Sequence, residues 1–194
     1  MLKNNFARKT LLLAITITFA ATATAADVSS LKKLSNSGDA PSQHTLALLY
    51  QNGDGVFKRQ STAVKWLKKS AEKGYVPAQK DLGTAYYNGV GVSQNYMTAI
   101  KWYQRAAVQG NVDAQFNMGV MYSKGEGTQY NNIKAFEWYQ KAADQNHAYS
   151  QYNVATAYEI GNGVDKSATK AKDWFDRSCK GGFSKACDKY KTLK

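Results

Sequence analysis

The fold of this 194-residue chain is decided by residues 78–113, which read AQKDLGTAYYNGVGVSQNYMTAIKWYQRAAVQGNVD. The first half places Leu82, Gly83 and Tyr86 at positions i, i+1 and i+4, the spacing of one buried stripe on a helix. Paired glycines then interrupt the pattern, and glycine commonly ends a helix because it has no Cβ to clash in the left-handed conformation. The second half carries its own stripe at Ala99, Trp102, Tyr103 and Ala107. The stretch therefore predicts two antiparallel helices, of which the second stops at Gly110.

The same pattern recurs through the chain with a period of 36 residues, and three separate registers share it. They are the tryptophans Trp66, Trp102, Trp138 and Trp174, the tyrosines Tyr50, Tyr86, Tyr122 and Tyr158, and the glycine pairs Gly53/Gly55, Gly89/Gly91, Gly125/Gly127 and Gly161/Gly163. A fixed period of this length indicates a repeat protein. We divide the chain into full units at 42–77, 78–113, 114–149 and 150–185, with half units at 26–41 and 186–194.

One helix pair of this kind cannot bury its own apolar stripe, so successive pairs must stack and share a continuous core. The sequence therefore predicts an all-α solenoid of antiparallel helix pairs. We place Trp102 in the shared core, where its replacement by alanine would cost ~3–5 kcal/mol. Lys101, Gln104 and Arg105 fall on the opposite, solvated face of the same helix.

The repeated unit resembles the Sel-1-like repeat family. The residues that carry the resemblance in the second unit are Ala78-Gln79, Leu82-Gly83, Tyr86, Gly89-Val90-Gly91-Val92, Ala99, Trp102-Tyr103, Ala106-Ala107 and Gly110. The resemblance implies a right-handed superhelix, related to tetratricopeptide repeats, that acts as a protein-binding scaffold in signalling and envelope processes. Two positions depart from the family pattern, because Asn146 and Ala155 replace its usual glycines.

The two cysteines lie in the last unit, at Cys179 and Cys187. They resemble the cysteine-rich secreted subset of the same family, in which a cysteine that ends one helix is joined to one that starts the next. An even cysteine count in an exported protein also favours a structural disulfide over a redox or metal pair. A metal site needs more ligands, and His44 and His147 lie almost three units apart, so we expect neither a metal nor any other cofactor.

The N-terminus has the three parts of a secretory signal. Basic residues precede an apolar run at 11–21, and small residues end it at Ala23-Thr24-Ala25. We predict a signal peptide at 1–25, with cleavage after Ala25 or, alternatively, after Ala26, and a periplasmic or secreted protein. The apolar run is short for a membrane span, and no second run follows, so we expect no membrane span after cleavage.

The predicted mature chain remains basic. Removal of the signal takes away Lys3, Arg8 and Lys9 and lowers the formal charge from +12 to +9. Because an exported protein rarely meets nucleic acid, we expect an anionic protein surface or anionic envelope material as the partner, and no nucleic acid. We expect the protein itself to be a monomer.

The first helix of each unit has a second face, opposite the buried stripe, that is richer in apolar residues than a solvated face should be. In stacked helix pairs the first helices line the concave side, so this row predicts a binding groove, unless its apolar members contact neighbouring first helices and belong to the core. Asn117 and Asn153 flank the row and suit an extended peptide backbone. The row consists of His44/Leu48/Gln51, Lys80/Thr84/Tyr87, Phe116/Val120/Ser123 and Tyr152/Thr156/Glu159.

The function that we predict is an exported interaction scaffold that binds a protein or peptide through this concave face, without catalytic residues. The resemblance implies immunity proteins or envelope adaptors as more specific roles. The alternative is a β-lactam-binding or β-lactam-hydrolysing enzyme, as described for cysteine-rich relatives. Such an enzyme would need a nucleophile in Ser-x-x-Lys, a pattern present at Ser29, Ser30, Ser70 and Ser167, but the Ser-Asp-Asn and Lys-Thr-Gly partners are missing from the sequence.

Overall fold

The computed structural model describes residues 25–193, and over that range the chain forms ten helices and no strand. The expected signal peptide lies outside the described residues, apart from Ala25, where the first helix begins. The helices are α1 (Ala25–Asn36), α2 (Ala40–Asn52), α3 (Gln60–Glu72), α4 (Val76–Asn88), α5 (Tyr96–Val108), α6 (Val112–Lys124), α7 (Asn132–Asp144), α8 (Ala148–Ile160), α9 (Ala168–Lys180) and α10 (Ser184–Thr192).

Each helix packs mainly on the helix before it and the helix after it in the chain. The first helices of the four repeats are α2, α4, α6 and α8, and the second helices are α3, α5, α7 and α9. This nearest-neighbour arrangement is a solenoid, and it confirms the all-α repeat fold. The first helices begin at residues 40, 76, 112 and 148, two residues before the unit boundaries that we placed from the sequence.

The buried stripe of the first helices forms the centre of the core, as the sequence predicts. Its largest members are fully buried and 36 residues apart, at Leu46, Leu82, Met118 and Val154. The helices end where the glycines predict, because Gly53, Gly89, Gly125 and Gly161 all take the left-handed conformation at the end of a first helix. Asn146, in the turn after the second helix α7, also takes the left-handed conformation, with φ of 64°, which asparagine tolerates better than most residues.

Small residues on the first helices face large residues on the second helices. In each repeat, the size of the small residue matches the size of the large residue that it faces. Gly83 and Gly119 lie against the rings of Tyr103 and Tyr139, so closely that a Cβ on Gly119 would stand 2.5 Å from a carbon of the Tyr139 ring. In the outer repeats the small residue is alanine, and the large one is not tyrosine. Those outer pairs are Ala47 with Leu67 and Ala155 with Phe175.

We predict that Gly119→Ala lowers the free energy of unfolding by about 1–3 kcal/mol, because the new Cβ would overpack the interface with Tyr139. Adding Tyr139→Leu, which copies the Ala47–Leu67 pair, should cost less than the two single changes together. Urea unfolding of the two single variants and the double variant measures this coupling. Simple additivity would show that the two positions do not constrain each other.

A buried glutamine connects each first helix to the second helix before it. The Nε2 of Gln79 donates to the carbonyl of Ala71 at 3.2 Å, and its Oε1 accepts from Gln109 at 2.8 Å. Gln115 makes the same pair of bonds, to Ala107 and from Gln145. The donor–carbonyl bond always spans eight residues, and it recurs from Gln43 to Ser35 and from Gln151 to Ala143.

Replacement of Gln115 by leucine should lower the free energy of unfolding by about 1–3 kcal/mol, because the carbonyl of Ala107 would keep only its bond from Gly110 and the Gln145 side chain would lose an acceptor. Gln104→Leu is the matched control, since Gln104 is exposed on α5, and it should change stability by less than about 0.5 kcal/mol. Urea denaturation followed by circular dichroism provides both values. Equal effects of the two substitutions would argue against the buried link.

The tryptophans differ from what the sequence predicts. Trp102 is half-buried, whereas Tyr103 beside it is only 2% exposed and takes the core position. Arg105 is exposed, as expected, and its guanidinium lies 4.5 Å from the centre of the Trp102 ring. The Trp102 ring thus packs against the core formed by α2, α3 and α4 and is also covered by Arg105, one turn along its own helix.

Candidate functional site

A groove of about 440 Å³ crosses the first helices α4, α6 and α8. It brings together four of the residues that the sequence assigns to the binding face, Lys80, Thr84, Phe116 and Asn117. Three further residues line it that we did not assign. They are Asp113 in the first turn of α6, His147 at the N-cap of α8, and Tyr149 in the first turn of α8.

The apolar part of the groove is a group of aromatic rings around Phe116. The Phe116 ring centre lies 5.0 Å from that of His147 and 6.5 Å from that of Tyr149. Tyr139 supports Phe116 from α7, with a ring separation of 5.9 Å. Tyr149 remains 56% exposed, so this aromatic surface is open to a ligand.

His147 has its protonation fixed by its place at the start of α8. Its Nδ1 accepts the backbone N–H of Ser150, and it lies 2.8 Å from the Ser150 hydroxyl. Burial lowers the pKa of His147 below its ordinary value, and the carboxylate of Asp113 only partly offsets this. The neutral ring therefore keeps its proton on Nε2.

The negative charge of Asp81, on the face formed by the first helices, is already paired with groups of the same chain. The carboxylate of Asp81 on α4 lies 2.7 Å from His44 Nε2 on α2 and 2.6 Å from Lys80 Nζ. Burial opposes the ionisation of Asp81, but the hydrogen bonds from His44 and Lys80 outweigh it and hold the pKa of this carboxyl below its usual value. His44 thus connects two first helices.

Two amides on the wall keep their full hydrogen-bonding capacity. Asn117 and Asn153 occupy the same register on α6 and α8, and both are half-buried. In the described part of the chain, neither side chain has a hydrogen-bond partner, whereas Asp81, in the same register of α4, has two. An asparagine carboxamide both donates and accepts, so it can pair with the two polar groups of one peptide unit.

Other residues of the predicted face contact neighbouring parts of the chain instead of the groove. Tyr87 lies against Tyr96, and its hydroxyl donates to Glu126 at 2.7 Å; burial and this hydrogen bond raise the pKa of Tyr87. Tyr152 packs edge-on against Phe175 and Phe183. Six further members of the predicted face lie outside the groove. Gln51 is exposed, and the other five are at least half-buried: Leu48, Val120, Ser123, Thr156 and Glu159. Glu159 forms an ion pair with Lys189.

The residues that we missed come from the first turns of helices, because we examined only the middle of each helical face. Asp113 and Tyr149 share one register, which is occupied by Pro41 and Pro77 in the first two repeats. This register changes from proline in the first two repeats to an acidic residue in the third and an aromatic residue in the fourth. That change in the sequence could have identified Asp113 and Tyr149 as site residues. His147 occupies the N-cap register, where a polar residue is expected for helix capping alone.

Ser70, a candidate nucleophile of the enzyme alternative, is fully buried. Its hydroxyl donates to the carbonyl of Ala40 at 2.7 Å, and Ser178 makes the same bond to Ala148. Lys73, the lysine of its Ser-x-x-Lys pattern, donates to the carbonyl of Gly38. Ser70 therefore serves as a hydrogen-bonding residue between the two helices of one repeat.

The two cysteines meet where α9 is followed by α10. Their sulfur atoms lie 1.98 Å apart, which is bonding distance, and the residues are eight positions apart in sequence. Cys179 and Cys187 occupy the registers of Ala143 and Gln151, so the pair stands where the other repeats have the link from glutamine to carbonyl. Phe183 and the buried Ala186 pack beside it.

We predict that thiol titration of the unfolded, non-reduced protein finds no free cysteine. Reduction should then lower the melting temperature, because a closed loop of this length contributes on the order of 2–3 kcal/mol. The Cys179→Ala, Cys187→Ala double variant serves as the control, since reductant should not change its stability. Two titratable thiols in the untreated protein would refute the bridge.

Neither a metal centre nor a membrane-spanning helix is found between residues 25 and 193. No group of three or more histidine, cysteine, aspartate or glutamate side chains converges there. The helices of this range are also too short and too polar to cross a bilayer.

Comparison with known proteins identifies relatives along most of the chain. A search of curated proteins finds no match. Among solved structures, a protective antigen of uropathogenic Escherichia coli with an SLR fold is 34% identical, with a TM-score of 0.82, over 84% of this chain and 35% of its own length. A Sel1 repeat protein from Oxalobacter formigenes is 30% identical, with a TM-score of 0.78, over 81% of this chain and 65% of its own.

The chain thus spans about a third of the first relative and just under two thirds of the second. An immunity protein of Pseudomonas aeruginosa shares the fold, at 21% identity and a TM-score of 0.51, over 93% of this chain and 65% of its own. The family model of the Sel1 repeat matches four times in succession, at residues 40–75, 76–111, 112–147 and 148–183. The chain therefore belongs to the Sel1 repeat family, whose members are generally scaffolds for protein interaction.

Proposed function

We propose that this protein holds an extended peptide segment of a partner protein in the groove across α4, α6 and α8. The observation that carries the proposal is the side chain of Asn117, which lies in the groove without a hydrogen-bond partner and next to the open aromatic surface of Phe116 and Tyr149. An extended peptide presents free backbone N–H and C=O groups, and Asn117 can satisfy both. Phe116 and Tyr149 form an aromatic surface against which one apolar side chain of the same peptide can pack.

Asn153 extends this proposal along the solenoid. It repeats the position of Asn117 one unit later, also without a partner in the described range. Two such amides would hold two peptide units of one strand and fix its direction. The remaining members of the predicted face, such as Tyr87 and Tyr152, would support the wall on which this strand lies.

The charge and the sequence pattern of the chain support a more specific setting for this scaffold. The formal charge of +9 on the expected mature chain favours a partner with an anionic surface and a monomeric protein between binding events. The N-terminal pattern supports export to the periplasm or the exterior, as does a cysteine pair at bonding distance. Within that compartment, an immunity protein and an envelope adaptor would use the same groove for different partners.

The β-lactam alternative receives no support from the surroundings of Ser70. A nucleophilic serine must reach its substrate, whereas this hydroxyl is buried and bonded to the carbonyl of Ala40. We therefore propose binding, and not hydrolysis, as the function of the chain.

The proposal predicts that peptides selected from a displayed random library against the purified protein bind at the groove. Phe116→Ala and Asn117→Ala should each weaken a selected peptide roughly tenfold, through loss of the aromatic surface and of the backbone bonds. Phe57→Ala is the matched control, because Phe57 is 85% exposed and lies in the loop before α3, away from the groove. Fluorescence anisotropy of a labelled peptide measures the three affinities.

Circular dichroism must show that all three variants keep their helical content. If affinity is unchanged in both groove variants, the peptide binds elsewhere and the groove is not the site. If Phe57→Ala weakens binding as much as the groove variants do, the effect is not specific to the groove, and the proposal fails.

A further inference from the structure

The second helices carry a row of cations in a single register. The row runs along the solenoid with one residue on each of α1, α3, α5, α7 and α9, and all five side chains are exposed. We call these residues the cation row. It consists of Lys33, Lys69, Arg105, Lys141 and Arg177, each 36 residues from the next.

Four members of the row are held in place by tryptophans. The charged group of each lies over the ring three residues earlier, at 4.1 Å for Lys69, 4.5 Å for Arg105, 4.2 Å for Lys141 and 4.6 Å for Arg177. A cation over an aromatic face is attracted by the ring but keeps its charge. The row is therefore ordered without being neutralised.

The cations of the row also lack acidic partners. Across residues 25–193, none of the five lies within ion-pair distance of a carboxylate, although other lysines do, such as Lys68 with Glu72 and Lys180 with Asp176. An ordered and exposed cation without an acidic partner can meet an anion from outside without first breaking an existing ion pair.

The residues in the registers on either side of the cation row are not positively charged in every repeat. The position before each tryptophan changes from Lys65 and Lys101 in the first two repeats to Glu137 and Asp173 in the last two. The position before each row cation likewise runs from Lys68 through two glutamines to Asp176. Positive charge is thus continuous along one line only, and in the second half of the molecule carboxylates border this line.

We propose that the cation row binds a linear acidic polysaccharide, a chain of sugars with carboxylate or sulfate groups. A line of charges one residue wide suits a ligand whose own charges lie in a line, whereas a bilayer would place anions against Glu137 and Asp173 as well. Single-stranded nucleic acid usually stacks its bases on open aromatic rings, and here each tryptophan is covered by its own cation. This site is separate from the groove and does not depend on the peptide proposal.

The tryptophans make binding directly observable. All four tryptophans of the chain lie under the row, so a ligand that reaches the cations should change the intrinsic fluorescence. We expect a saturable change on titration with a heparin-derived oligosaccharide and with polygalacturonate, weakened by added salt. Neutral dextran of similar length should cause no change.

Two triple variants with the same net charge separate the row from general basicity. Lys69→Gln, Arg105→Gln and Lys141→Gln together should weaken oligosaccharide binding at least roughly tenfold, given the electrostatic contribution of each cation. The matched control, Lys124→Gln, Lys166→Gln and Lys185→Gln, removes three exposed lysines outside the row and should change affinity less than about twofold. Equal losses in the two triple variants would overturn the proposal.

Lys33 provides a test that leaves the tryptophans untouched, because Ser30 occupies the tryptophan register in α1. Lys33→Gln should weaken binding roughly two- to fivefold without a change in melting temperature, and unchanged affinity would exclude α1 from the site. Vesicles of anionic phospholipid and a single-stranded DNA oligonucleotide complete the comparison. Binding of either as tightly as the polysaccharides would overturn the assignment of the ligand class.

Discussion

The joint between consecutive repeats depends on one buried hydrogen bond, from a glutamine side chain on a first helix to the carbonyl eight residues earlier at the end of the preceding second helix. The C-terminal carbonyls of a helix have no partner within that helix, and burial makes an unpaired carbonyl costly. The turn that follows supplies one backbone N–H to this carbonyl, as Gly110 does for Ala107, and the glutamine adds a second hydrogen bond that ties the carbonyl to the next helix. Because every repeat repeats the same joint, the first helices keep a constant register, and both the groove and the cation row follow from that constancy.

The four joints differ in whether the side-chain oxygen Oε1 of the glutamine also has a hydrogen-bond partner. Gln79 and Gln115 are completed by Gln109 and Gln145, whereas the Oε1 atoms of Gln43 and Gln151 are buried without a partner. The residues in the completing register explain the difference. Lys73 stands there in the first repeat and donates to the carbonyl of Gly38 instead of to Gln43, and Gly181, which has no side-chain donor, stands there in the last. The two middle joints are therefore the best satisfied, and the groove lies next to them.

Much of this architecture is readable from the sequence, because it follows from periodicity. The 36-residue spacing of aromatic and glycine residues gives the helix pairs, their ends and the stacking, since each of these depends on short-range geometry. The buried glutamines were not recognised as structural, because a polar residue at a fixed register looks the same whether it faces water or a hidden carbonyl. Trp102 was placed too deep for a related reason: the sequence does not reveal that Arg105, one turn away, covers its outer face.

The groove could be predicted only in part. Lys80, Phe116 and Asn117 lie mid-helix, where helical spacing assigns them to one face, whereas His147 and Tyr149 approach Phe116 from the start of the next first helix. Contacts across a joint depend on how far one repeat is rotated against the next, and that rotation is not encoded in a single unit. Tyr152 illustrates the opposite case, since an apparently free aromatic face is taken up by Phe175 and Phe183 near the end of the chain.

The joint between α9 and α10 differs from the four earlier joints in the kind of bond that can connect its two helices. A hydrogen bond between two helices weakens when water competes for its donor and acceptor. Cys179 and Cys187 stand where Ala143 and Gln151 stand one repeat earlier, and a covalent link does not weaken when solvent reaches it. The joint between α9 and α10 would therefore respond to the redox state of the surroundings, so that a reducing medium should loosen this joint while the glutamine joints hold.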